Sequence, residues 1–187
     1  MSFKTMASVF LLAMPLVAQQ NSVPHSDAEK IADALKGGPA YISQNAAVLD
    51  WPTSPTGSYR ELRPGSNGWT CLPTSPQHQP VCADHTFLTF FQDAVAHRPV
   101  HVDRVGLAYM YEGDMVSPHG GSPAHPYRVG PHIMLVVPNG TGLEGYTTDG
   151  STGEAYINRV PGTTIPYLVI PIHEAPARGG NGGHPSP

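Results

Sequence analysis

Glycine and proline set the limits on what this chain can fold into. There are 20 glycines and 21 prolines among 187 residues, roughly twice their usual combined share. They fall between short apolar runs and crowd the C-terminus, and no period links them, which argues against a collagenous or repeat architecture. Proline removes a backbone donor and glycine weakens both helix and strand, so the regular segments must be short and the loops many.

The surviving segments have clear patterns. Ser26 and Glu29 have capping-box spacing, and Ala28, Ile31, Ala32 and Leu35 form an apolar stripe that Gly37 closes. The strongest helix is expected over 84–96. Asp84 is placed to cap it, Phe87, Phe90, Phe91, Ala94 and Val95 recur at helical spacing, and Pro99 ends it. Strands are expected over 41–51, 59–62, 105–111, 132–137, 155–160 and 165–172. Pro166 and Pro171 push the last of these towards a sheet edge or a bulge. Residues 63–84 read as turn chemistry throughout, and 112–130 as a long loop. The expected fold class is α+β, a small, mainly antiparallel sheet with one principal amphipathic helix, rich in loops.

The ends are different in kind. Lys4 followed by the apolar stretch Met6–Val17, with Pro15 before Ala18, has the build of a secretory signal peptide. It is too short for a membrane-spanning helix of about 20 residues. Cleavage is expected near Ala18, with the bulky Leu16 at the −3 position leaving its place open by a few residues. The expected organisation is a signal peptide over 1–18, one globular domain over 19–174 and a disordered tail over 175–187. Export to the periplasm or beyond the cell follows, with no stable membrane anchor.

Charge narrows the partners. Charged residues make up 13% of the chain and the formal net charge is −4. Lys30 and Lys36 are the only lysines beyond the signal segment. No basic stripe exists to hold nucleic acid or an anionic bilayer. Cys71 and Cys82 are the only cysteines, and in an exported chain a disulfide is the default reading. A thiolate metal site is the weaker alternative, because no second cysteine pair lies nearby.

Histidine is plentiful, but its spacing is uninformative. His97 and His101 are separated by Pro99, which breaks the helical face that would align them. His119, His125 and His132 could supply three imidazoles to a metal if the long loop folds over the strand; the plainer reading leaves His119 and His125 as solvated loop residues. His132 shares a strand side with Met134 and Val136, so it is either hydrogen-bonded in the core or lines a pocket. Asp84 and His85 could form an acid–base pair, although a helix cap explains Asp84 more simply. Asp149–Glu154 has calcium-like oxygen spacing but lacks the full EF-hand pattern, so a turn is expected. Asn139–Thr141 is formally a glycosylation sequon. No local signature of a common enzyme class occurs.

An ordered set of segments carries a resemblance. Leu62–Cys71 contains an NG-aromatic-x-C run and Cys82–Asp84 opens an aromatic helix. Pro131–Met134 and Pro161–Thr164 follow in that order. Over roughly residues 40–172 the chain resembles a group of small exported bacterial proteins of uncharacterised function. The resemblance implies bacterial export and a single domain, and no activity. Where such relatives often carry a histidine in the last strand, this chain has Tyr167.

The reading that fits these features best is a non-catalytic binding or accessory domain, with Trp69, His132 and Met134 around a pocket between helix and sheet. No cofactor is expected, and the partner would be a small molecule or an envelope protein. One alternative is a metal-dependent hydrolase using His132 with His119 and His125, and Asp84 or Glu112 as base. Another is a purely structural envelope protein.

Overall fold

A computed structural model describes residues 23–116 and 127–172. The expected signal peptide and tail, and His119 and His125, lie outside the described residues.

The first helix, α1 (Asp27–Ala34), has the capping box that its sequence promises. Ser26 Oγ accepts from the Glu29 amide at 3.3 Å, and Glu29 Oε2 accepts from the Ser26 amide at 2.9 Å. Eight residues make a marginal helix in isolation. Here it docks through Lys30, which binds Asp50 at 2.7 Å, and through Asp27, which pairs with Arg60 at 2.7 Å.

A second short helix, α2 (Ala40–Ser43), occupies the start of the expected 41–51 strand, which is confined to β1 (Ala47–Asp50). Pro39 precedes the helix with its φ fixed near −62°, and two distant side chains hold carbonyls at its end and just beyond it. Asn67 Nδ2 donates to Ile42 O at 2.7 Å, and Arg63 Nη2 donates to Ser43 O and Ala46 O at 2.9 and 2.6 Å. These long-range caps outweigh the local β-like pattern.

After β2 (Arg60–Arg63) come β3 (Trp69–Leu72) and β4 (Val81–Asp84), joined by the proline-rich segment 73–80. The expectation of turns throughout 63–84 is therefore corrected. Turn residues fill the middle of that segment, while Cys71 and Cys82 sit opposite each other in register and are joined by a disulfide, with Cα atoms 4.0 Å apart. Asp84 then caps α3 (His85–Val95), accepting from the Phe87 amide at 2.8 Å.

The remaining strands are β5 (Gly106–Met110), β6 (Asp114–Val116), β7 (Tyr127–Val129), β8 (His132–Val136), β9 (Tyr156–Arg159) and β10 (Pro166–Pro171). β6 and β7 form a separate antiparallel pair, so strand structure exists at both ends of the expected 112–130 loop. The other eight strands make one sheet in the order β2-β1-β3-β4-β5-β8-β10-β9. Every pairing in it is antiparallel except β1 with β3. The α+β class with one main helix holds. The placing of the last strand at an edge does not. β10 lies between β8 and β9, and its prolines stand at its first and last residues, leaving Tyr167–Val169 to pair on both sides.

Opposed residues in an antiparallel ladder share a face. One face carries Leu72, Ala83, Ala108, Met110, Met134, Val136 and Val169, and α3 covers it with Phe87, Leu88, Phe90 and Ala94. Each fully buried large apolar side chain there contributes about 1.5–3 kcal/mol. Gly106 permits the close approach, since a Cβ at that position would stand 2.6 Å from the Phe87 amide nitrogen. The other face buries the disulfide with Ala34, Ala46 and Val48 at one end, and Leu143, Ile157 and Leu168 at the other.

Candidate functional site

Segment 73–80 is held at several points and carries His78. Its base is closed by the disulfide. Trp51 Nε1 donates to Pro73 O at 2.6 Å, and the Thr74 amide donates to Asp33 Oδ2 at 2.7 Å. Within the loop, Ser75 Oγ accepts from the Gln77 and His78 amides at 3.2 and 3.0 Å, and the Ser75 amide donates to His78 O at 2.8 Å. Prolines at 73, 76 and 80 reduce the loop's freedom further.

So fixed, the His78 imidazole stacks on Trp51, with centroids 5.6 Å apart and planes inclined by 29°. It meets the edge of Phe91 at 5.7 Å, and Trp51 and Phe91 meet each other at 6.1 Å. The Nδ1 atom of His78 lies 3.4 Å from Oδ2 of Asp114, at the start of β6. The Asp114 side chain is 10% exposed and that of His78 38%.

Behind these three rings, between α3 and the sheet, is a cavity of about 60 Å³. Phe87, Phe91, Met110, Met134 and Tyr167 form much of its wall, and the His78 imidazole and Asp114 carboxylate also line it. Outside the same rings lies a wider groove of about 410 Å³ that reaches Tyr59, Gln77 and Val95. Trp51, His78 and Phe91 thus separate an inner apolar chamber from an open outer one. Apolar concavities with a few placed polar groups are the usual form of small-molecule sites.

Met134 alone of the three expected pocket residues lines this cavity. His132 is on the same face but buried, at 2% exposure, and its Nδ1 lies 2.8 Å from Gly130 O. A carbonyl only accepts, so Nδ1 carries the proton in this contact. Burial pushes the His132 pKa down, with the Gly130 carbonyl and the Asp114 charge partly opposing it. Of the two readings open for His132, the geometry fits the hydrogen-bonded core residue. Trp69 lies on the opposite face of the sheet, against Tyr109 and beside the disulfide cluster. The expected triplet is therefore split by the sheet itself.

The other candidates have structural places. Both oxygens of Asp84 are engaged, Oδ1 by the Phe87 amide and Oδ2 by the Leu107 amide at 2.9 Å. His85, His97 and His101 are exposed. Glu112 stands in the turn before β6. Asp149 Oδ1 accepts from the Ser151 amide at 2.9 Å and caps a single turn, and Asn139 sits in a turn with φ 51°. Among the described residues no group of three or more His, Cys, Asp or Glu side chains is arranged to hold a metal ion. No described helix is long and apolar enough to cross a membrane.

His78, Asp114, Trp51 and Phe91 escaped sequence reasoning. His78 falls within the segment read as turn chemistry, and Asp114 within an expected loop. The one available signal was that His78 lies in a proline-stiffened loop closed by the two cysteines, which makes it a positioned residue. Comparison with protein-family models, with curated proteins and with solved structures found no match to this chain.

Proposed function

We propose that this chain is an exported, non-catalytic binding domain whose ligand enters between α3 and the sheet through the Trp51–His78–Phe91 rings. The observation that carries the reading is the apolar cavity behind those rings, continuous in its lining with the outer groove. Two further features support it. The loop that bears His78 is fixed before any ligand arrives, which lowers the ordering cost of binding. The carboxylate of Asp84, a candidate base, is occupied by backbone amides. The Cys71–Cys82 disulfide agrees with an oxidising compartment, periplasmic or extracellular.

Isotope-labelled methionine methyls test this reading. Met110 and Met134 line the cavity. A panel of small apolar and amphipathic fragments is expected to include members that shift both methyl signals in a saturable way. A panel that leaves both signals unmoved overturns the reading.

A further inference from the structure

The Cys71–Cys82 disulfide lies where the anchors of the His78 loop come together. Loop 73–80 begins after Leu72 and ends before Val81, the residues next to the two cysteines, and both of these line the cavity. The sulfurs themselves are on the other face of the sheet, in one cluster with Ala34 of α1 and Val48 of β1. Val48 pairs in register with Cys71.

Each partner in that cluster continues to the loop. Asp33, beside Ala34, holds the Thr74 amide. Trp51, just past the end of β1, holds the Pro73 carbonyl. The turn after α1 closes on the far end of the loop. A Cβ at Gly37 would stand 2.7 Å from the Val81 nitrogen, and one at Gly38 would stand 2.9 Å from the Cys82 Cβ. The bonded sulfurs, α1 and both ends of the loop are thus packed as one unit. Two unbonded thiols take more room than a bonded pair, and the close approach of Gly38 leaves little to give.

Both cysteines are fully buried, so the bond is shielded from reductants once the chain has folded. It is set during folding by thiol–disulfide exchange. One thiolate attacks a donor disulfide and releases a donor thiolate, and the second then displaces the other donor sulfur. The donor gains the two electrons and two protons that the cysteines lose.

We propose that this disulfide is the redox switch of the binding site: the reduced chain folds but leaves loop 73–80 unlatched and the site unformed, and oxidation closes it. The proposal rests on the binding reading above and adds the condition under which the site exists.

The test follows amide exchange in the full chain, refolded in excess dithiothreitol and then oxidised with glutathione disulfide. In the reduced protein the α3 and β8 amides are expected to stay protected, while the Thr74 amide and the Trp51 indole N–H exchange about tenfold faster or more. Glutathione disulfide is expected to restore both. Cys71→Ala/Cys82→Ala, which has no thiols to crowd Gly38, is expected to match the reduced protein. A fragment that shifts the Met110 and Met134 methyls of the oxidised protein should bind the reduced protein about tenfold more weakly or worse.

Unchanged exchange at Thr74 and Trp51 overturns the proposal and leaves the disulfide a stability element. Loss of α3 protection in both the reduced protein and the variant also overturns it, because the bond would then serve the whole fold and not the site. Where only one of the two unfolds, the other decides. The exchange readout needs no ligand, so it stands apart from the methionine-methyl panel that tests the binding reading.

Discussion

His78 and Asp114, 36 positions apart in sequence, meet at 3.4 Å. Their contact joins the proline loop between β3 and β4 to the small β6–β7 pair, and it does so at the wall of the cavity. A half-exposed imidazole in this position closes a site and contributes little to the core.

Removing that imidazole tests the distinction. His78→Ala is expected to cost about 1–2 kcal/mol of stability, the worth of two partly exposed aromatic contacts and one partly exposed polar contact. Urea denaturation measures it. A loss above about 3 kcal/mol, typical of a truncated core aromatic, would make His78 a core group and not the closure of a site.

Phe90 and Phe91 are neighbours in α3 with different expected effects. Phe90 is 1% exposed and packs on Phe87 and Tyr167. Phe90→Ala is therefore expected to cost about 3–5 kcal/mol. Phe91 is half-buried between cavity and groove, so Phe91→Ala should cost less and alter ligand binding more. Equal destabilisation by the two would contradict the boundary drawn here.

The buried histidine gives a pH dependence with a definite sign. An unfolded imidazole titrates near about pH 6.5, and burial holds His132 below that. Below the unfolded value the unfolded chain binds the proton more readily than the folded protein, so stability falls as pH drops. The fall ends once pH is beneath the depressed folded value. Relative to wild type, His132→Leu should lack this part of the pH dependence. Parallel stability curves between pH 8 and pH 5, roughly the range over which histidine titrates, would show that His132 is not held neutral.

Asp50 carries the opposite charge chemistry at the α1 end. Burial resists its ionisation, but hydrogen bonds from Lys30 and Arg60 outweigh that and hold its carboxyl below the ordinary range. Its stabilising contribution is present above about pH 4 and is lost as pH falls through the depressed folded value. Asp50→Asn should reduce the acid sensitivity of α1 docking, followed by amide exchange of residues 27–34.

The sequence made the elements legible wherever local chemistry was self-sufficient. The Ser26–Glu29 box, the Asp84 cap with its aromatic stripe, and the strand patterns over 105–111 and 132–137 each specify an element within a few residues. Misreadings came where distant groups decided. Ser43 and Ala46 are capped by Arg63, and Ile42 by Asn67, so α2 depends on contacts 17–25 residues away. The strand around Trp69 is held by a cross-strand disulfide that composition could suggest but not align. Pro166 and Pro171 looked like edge markers because their places at the two ends of β10 depend on register.

The site was less legible than the fold for a related reason. Met134 lies on the cavity side of β8, the side that strand alternation assigned to it. Trp69 lies on the opposite face, because the side of the sheet that each strand turns to a helix depends on the crossing of the whole chain. His78 and Asp114 carry no local signature, and only the closing of the proline loop over β6 brings them together.

The most direct test of the central claim is a crystal structure recorded under xenon pressure, since xenon enters apolar cavities without any assumption about the natural ligand. The account predicts a xenon atom between Phe91, Met110 and Met134, behind the His78 ring. A space filled by repacked side chains, with no xenon there, would contradict a preformed binding site between α3 and the sheet.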